Sequence, residues 1–152
     1  MDREKIFAAV DHTLLGQTAT WAEINEMHKS ALVEFQIHSY NMHASQNGQR
    51  KGISKINGES EADYRKALTE DLEKAQELFN NNCGFEPTAV AYPYGAKSKT
   101  TLDIIKDCGF VCTLGCEEKA NIITVRDSEC LYNLGRYNRP SGIKTESFFE
   151  KL

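Results

Sequence analysis

The sequence lacks any apolar run that approaches the ~20 residues of a membrane-spanning helix. Its net charge of −4 comes from interspersed acids and bases, so it has no basic stripe for nucleic acid and no polybasic patch for a membrane surface. The apolar run at residues 6–10 is too short for the core of a signal peptide, and a turn follows it. We therefore expect no nucleic-acid partner, no membrane span and no export signal in this sequence.

A disulfide framework is also missing. The number of cysteines, five, is odd, which argues against a secreted domain held together by disulfides. The sequence has no C-x-x-C pair, which argues against a redox module and against a structural zinc site. Cys108, Cys112 and Cys116 recur every fourth residue, but Gly109 interrupts a helix there and residues 110–114 resemble a strand. We expect free cysteines in or near the core, because buried thiols behave as small hydrophobes.

What the sequence does contain is an alternation of strands and helices in a length that suits one domain. A capping box at Thr20–Glu23 starts one helix, and Ser60 starts the strongest helix, which ends near Gly84. This order implies parallel strands with right-handed crossovers. The predicted strands are 6–10, 33–37, 88–92, 110–114, 122–125 and 131–137, and the predicted helices are 20–29, 60–79, 99–107 and 145–152.

Polar and aromatic groups follow three of the predicted strands, at Asp11-His12, at 38–43 and at 92–95. In parallel sheets, chemistry gathers at the carboxyl ends of the strands. His38 and His43 can aim two imidazoles at one point, and imidazole is the commonest protein ligand for a metal such as zinc. A histidine at a strand end is also an ordinary loop residue, so the residues alone leave a metal site and a pair of loop histidines both open.

Several stretches resemble the polysaccharide deacetylases, the NodB-homology domain of carbohydrate esterase family four. Residues 34–43, EFQIHSYNMH, resemble the histidine motif of that family, and residues 91–95, AYPYG, are similar to its Arg-x-Pro-Tyr motif with alanine in place of arginine. The stretch DCGF at 107–110 is similar to the start of a late barrel strand. The helix start at 20–27 and the segment LGRYNR at 134–139 also fit the family pattern.

The resemblance implies a metal-dependent hydrolase that removes N-acetyl groups from N-acetylglucosamine units of a polysaccharide. It implies that His38 and His43 bind a divalent metal, with zinc favoured, and that Ser39 and Asn41 make hydrogen bonds that shape the turn between them. The partner is then an N-acetylated polysaccharide or oligosaccharide. Members of this family are mostly secreted or at the cell surface.

The tyrosines complete the implied site. By the resemblance, the backbone amide of Tyr94 faces the oxyanion of the tetrahedral intermediate. The rings of Tyr40, Tyr92 and Tyr94 are expected to contact the sugar.

The sequence departs from the family in three places. The family's Asp-Asp motif, which supplies a metal ligand and the catalytic base, is expected to precede Met1, and Ala91 and Arg136 replace an arginine and a histidine. Asp11 is a candidate substitute as base or third ligand, although a surface Asx turn before Thr13 is the simpler explanation of this residue. We therefore expect one N-terminally truncated domain over residues 1–152, with an α/β fold of an incomplete, distorted (β/α) barrel.

Two consequences follow from these departures. The alternative function is that of an inactive or truncated deacetylase-like domain that binds metal or carbohydrate without turnover. A barrel that lacks a strand exposes sheet edges, so a homodimer or a strand-swapped dimer that covers the gap is also predicted.

Overall fold

The fold is that of a computed structural model, which describes residues 20–44, 50–138 and 141–150. The predicted strand at 6–10 lies outside the described residues, as do Asp11 and His12. No helix in the described ranges is long and apolar enough to cross a membrane.

Helix α1 comprises Trp21–Lys29 and begins at the predicted capping box. The Thr20 hydroxyl accepts the Glu23 N–H at 3.3 Å, and the Glu23 carboxylate accepts the Thr20 N–H at 2.7 Å. The Thr20 N–H, and the Thr20 hydroxyl that donates to the same carboxylate at 2.8 Å, lower the pKa of Glu23. The Trp21 ring packs edge-on against Phe79 with centroids 5.3 Å apart, which joins α1 to the next helix.

Helix α2 comprises Glu61–Cys83 and is the longest element that the structure describes. The Ser60 hydroxyl caps it by accepting the Asp63 N–H at 3.0 Å. Gly84 ends it in the left-handed conformation at φ 73°, as predicted. One face of α2 is buried, and the buried residues are Tyr64, Leu68, Asp71, Leu72 and Ala75.

A small parallel sheet confirms the α/β prediction. Strand β1, Ala89–Ala91, pairs in parallel with β2, Cys112–Leu114, and helix α3, Thr101–Asp107, lies between them in the chain. Single parallel bridges extend the sheet on both sides, from Ile37 to Val90 and from Leu114 to Leu134. The predicted strands at 33–37 and 131–137 are thus each reduced to one bridge.

The predicted strand at 122–125 is wrong. Those residues form no strand, and the side chains of Ile122 and Val125 are each 85% exposed. An apolar run becomes a strand only where a neighbouring strand accepts its hydrogen bonds, and this run lies on the surface without one among the described residues. A 3₁₀ turn, Ser128–Leu131, follows, and the terminal helix α4 is limited to Thr145–Phe149.

The hydrophobic core lies between the sheet and helices α2 and α3. All five cysteines are free, as predicted, and four of them are partly buried, but Cys116 is exposed, contrary to the predicted position in or near the core. Burial raises the pKa of the Cys108 and Cys112 thiols. The core comprises Ile37, Ile53, Tyr64, Leu68, Leu72, Ala75, Val90, Tyr92, Ile104, Ile105 and Phe110.

Candidate active site

The candidate site lies at the carboxyl edge of the sheet. Because the paired segments are parallel, the residues that follow each of them emerge at the same edge. His38 follows Ile37, the turn 92–95 follows β1, and Arg136 lies two residues after Leu134. Three separate segments therefore contribute to one surface.

The His38 ring is held by a backbone carbonyl. Its Nδ1 lies 2.8 Å from the carbonyl oxygen of Ala91, at the end of β1. A carbonyl can only accept, so Nδ1 carries the hydrogen and the lone pair lies on Nε2. Histidines that bind a metal usually donate their other ring N–H in this way, which fixes both tautomer and ring orientation.

The His43 ring lies beside His38. The two ring centroids are 5.0 Å apart with the planes inclined by 50°, and the Tyr94 ring is 4.7 Å from that of His43. The Tyr94 hydroxyl lies 3.2 Å from His43 Nδ1 and donates to the His43 carbonyl at 3.4 Å. When the hydroxyl hydrogen is directed to that carbonyl, the hydroxyl oxygen accepts from Nδ1–H and the lone pair of the imidazole lies on Nε2; in the other tautomer, the hydroxyl donates to Nδ1.

The turn between the histidines is held by hydrogen bonds from its backbone N–H groups to side-chain oxygens. Ser39 adopts φ 78°, and its hydroxyl accepts the Met42 N–H at 3.1 Å. The Asp71 carboxylate of α2 accepts the N–H of Tyr40 at 2.8 Å and that of Asn41 at 2.7 Å. Asn41 therefore contributes through its backbone, and its side chain is exposed.

Asp71, which is only 7% exposed, was not among the site residues predicted from the sequence. The sequence nevertheless contains a signal for a role of this residue. Asp71 lies seven residues after Tyr64 and three after Leu68, on the apolar stripe of α2. A charge at such a position requires a partner, and the histidine turn supplies the partner groups.

The turn Pro93–Gly95 forms another side of the site, next to the histidine turn. Tyr94 adopts the left-handed conformation at φ 57°, and its side chain is 44% exposed beside His43. Gly52 supports this turn from behind, because a Cβ atom on Gly52 would lie 2.4 Å from the Pro93 carbonyl oxygen. The Gly52 N–H also donates to the Ala44 carbonyl at 2.9 Å, which ties the chain after the histidine turn to the same support.

The structure brings His38, His43 and Tyr94 together and leaves Tyr40 exposed. Tyr92 is different, because its ring is 1% exposed and belongs to the core. Contrary to the prediction, Tyr92 cannot form a wall for a sugar.

The donor set suits part of a metal site. His38 and His43 offer two imidazole nitrogens, whereas a catalytic zinc site typically has ~3 protein ligands. Among the described residues, no group of three or more His, Cys, Asp or Glu side chains could hold a metal ion. The two histidines fit a divalent metal as two ligands of a larger set.

Comparison with curated proteins gives relatives of known activity. The chain is 34% identical over 98 residues to poly-beta-1,6-N-acetyl-D-glucosamine N-deacetylase of Staphylococcus aureus strain MRSA252. It is 26% identical over 98 residues to the protein of the same name from Staphylococcus epidermidis. The first match covers 64% of this chain and 31% of the relative, so the chain spans about a third of the length of that protein.

Two solved structures share the fold of this chain. The chain superposes on a de-N-acetylase from Aggregatibacter actinomycetemcomitans with a TM-score of 0.70 at 22% identity, over 88% of this chain and 53% of that one. It superposes on a polysaccharide deacetylase from Bacillus cereus with a TM-score of 0.64 at 19% identity, over 95% and 39%. At this level of identity, the likeness shows a shared fold.

The sequence profile of the polysaccharide deacetylase family matches residues 6–113, which is most of the chain. This range includes the histidine turn, the turn at Tyr94, strand β1 and the first two residues of β2. The chain therefore belongs to the polysaccharide deacetylase family.

Proposed function

We propose that this chain is part of a metal-dependent N-deacetylase that removes acetyl groups from N-acetylglucosamine units of a polysaccharide. The observation that carries the proposal is the pair of imidazoles 5.0 Å apart, with His38 Nδ1 held by the Ala91 carbonyl. The family match and the N-deacetylase activity named for the staphylococcal relatives support the reaction class. An incomplete, distorted (β/α) barrel is the architecture that we propose for the whole domain.

In this proposal, the residues of the edge have separate roles. His38 and His43 would hold a divalent metal, and the metal would supply Lewis-acid polarisation of the acetyl carbonyl when bound. The backbone amide of Tyr94 hydrogen-bonds the developing oxyanion, and the hydroxyl of the same residue holds His43 in place. The exposed ring of Tyr94, with that of Tyr40, offers an apolar face to the sugar.

Two roles remain, that of the base or third metal ligand and that of the general acid. Asp11 is our candidate for the base or third ligand. Arg136 stands where, by the resemblance, the family has a histidine that acts as the general acid. The Arg136 Nε donates to the Gly115 carbonyl at 2.8 Å. A guanidinium does not release a proton near neutral pH, so Arg136 cannot act as the general acid.

The arginine at position 136 favours a second candidate function, which is binding of metal or carbohydrate without turnover. Hydrolysis without a positioned acid or base loses roughly 10²–10⁴ in rate. The two functions differ in one measurable product, which is acetate.

The test is acetate release from N-acetylated β-1,6-linked glucosamine oligomers by the 152-residue chain with added zinc, with His38→Ala as the matched control. We expect release by the wild-type chain and a loss of at least about 100-fold in the variant, since one of two imidazole ligands is removed. Equal release by both proteins would refute the metal site. Zinc or oligomer binding without acetate would establish the second function instead.

The homodimer expected from the sequence stays a prediction. Sedimentation of the purified chain at high concentration tests it, and a single monomeric species would contradict it.

A further inference from the structure

We propose that Asp71 is a positioning residue that sets the distance and orientation of His38 and His43. The inference deepens the proposed function and rests on it, because the pair that Asp71 positions is the proposed metal-binding pair. Asp71 belongs to helix α2, which is separate in sequence from both histidines.

The geometry requires a carboxylate. Two consecutive backbone N–H groups, of Tyr40 and Asn41, point at the two oxygens of Asp71 at 2.8 and 2.7 Å. A carboxylate accepts at both oxygens, whereas an amide offers one oxygen and one NH₂ group. An asparagine at this position would therefore place a donor against one of the two N–H groups.

These two hydrogen bonds close the turn that separates the histidines. His38 precedes the turn and is fixed by the Ala91 carbonyl, and His43 follows it. Between them, Ser39 takes φ 78° and accepts the Met42 N–H. Asp71 therefore holds the middle of a segment whose two ends carry the imidazoles.

A purely structural role explains the residue less well. Asp71 is buried on the apolar stripe of α2, between Leu68 and Ala75, where an apolar side chain would fit the pattern of its neighbours. A buried charge costs free energy unless hydrogen bonds compensate it. The compensation comes from the histidine turn, so this charge is matched to the site.

The test uses Asp71→Asn in the full 152-residue chain and measures two quantities. The first is zinc affinity by calorimetric titration, with His38→Ala as the control for the site. The second is amide hydrogen exchange at Tyr40 and Asn41, measured by NMR without metal. Leu72→Ala, one residue along α2 and fully buried, is the matched control for a general loss of stability.

We expect Asp71→Asn to weaken zinc binding about 10- to 100-fold, which is the usual effect of removing a partner that orients metal ligands. We also expect faster exchange at Tyr40 and Asn41, at a temperature at which the variant remains folded. Leu72→Ala should change neither quantity at a temperature where it is folded. Asp71→Glu should restore part of the affinity, because it keeps both acceptor oxygens.

Unchanged zinc affinity in Asp71→Asn, with affinity lost in His38→Ala, would overturn the inference, as would an equal loss in Leu72→Ala. If the wild-type chain bound zinc no better than His38→Ala, the proposed function would fail. The exchange measurement would still decide on Asp71, because unchanged protection at Tyr40 and Asn41 would show that it does not hold the turn.

Discussion

Replacing Tyr64 by phenylalanine tests a series of linked, buried hydrogen bonds in which the donor of each bond can be assigned. The Tyr64 hydroxyl lies 2.8 Å from the Ile53 carbonyl and 2.5 Å from the Thr101 hydroxyl, and Thr101 Oγ1 accepts the Ser98 N–H at 2.7 Å. Since a carbonyl only accepts, Tyr64 donates to Ile53, and the Thr101 hydroxyl must donate to Tyr64. One oxygen thus satisfies two other buried groups.

The size of the effect follows from those groups. Tyr64→Phe keeps the ring, which is fully buried, but leaves the Ile53 carbonyl and the Thr101 hydroxyl without their partner. Each unpaired buried group costs about 1–3 kcal/mol, and two groups lose their partner, so we expect a loss of about 2–6 kcal/mol in the free energy of unfolding. For a chain of this length, that corresponds to a fall in Tm of about 4–24 °C.

Urea unfolding followed by circular dichroism measures this change, with Tyr137→Phe as the control. That control makes the same chemical change at an exposed tyrosine and should alter the free energy by less than about 0.5 kcal/mol. In a Thr101→Val background, the cost of Tyr64→Phe should fall, because the Thr101 hydroxyl is no longer there to be left unpaired. A loss below about 1 kcal/mol in the single variant would refute the chain of hydrogen bonds.

Two further predictions concern the segment beside the site. Gly52→Ala should lower both zinc affinity and Tm, since its Cβ would lie 2.4 Å from the Pro93 carbonyl oxygen at φ +52°; wild-type values would contradict this packing. Hydrogen bonds from Arg50 lower the pKa of Glu59 in the folded protein. The ionised carboxylate therefore stabilises the fold at pH values above its ordinary pKa of 4.5. This stabilisation is lost as the pH falls through the lower pKa of the folded state. Glu59→Gln should reduce stability at pH 7 and flatten its decrease below about pH 4.5, whereas an unchanged acid unfolding curve would argue against the pair.

Helix boundaries could be predicted because their signals are local. Thr20 and Glu23 form the predicted capping box, Ser60 caps α2, and Gly84 ends it with φ 73°. Each of these residues acts on backbone groups within a few positions in the chain, so the amino-acid pattern alone contains the information.

Strand extents could not be predicted as well, because they depend on distant neighbours. Residues 33–37 are mostly apolar, yet pairing with β1 is limited to the bridge at Ile37. The run at 122–125 looks equally apolar and is exposed. Whether such a run pairs is determined by which segment lies beside it, and the sequence does not state this.

The site was predictable where a residue directly follows a predicted strand. His38 and His43 follow the segment that ends at Ile37, and Tyr94 follows β1, whereas Asp71 acts from the middle of a helix about 30 residues from the histidine turn. Tyr92 was misjudged although a signal existed. It lies two residues after the buried Val90, so strand alternation already places its ring on the core side of β1.

The hydrogen bond from His38 to the Ala91 carbonyl also has a consequence for the order of folding. It joins residues that are 53 positions apart, with the whole of α2 between them. Helix α2 needs only local contacts and can form early, whereas closing a parallel pairing over such a distance is slow. The tautomer of His38 is therefore fixed only when the sheet forms, and a nascent or partly folded chain with its helices in place would not yet have the histidine pair that we propose as the metal site.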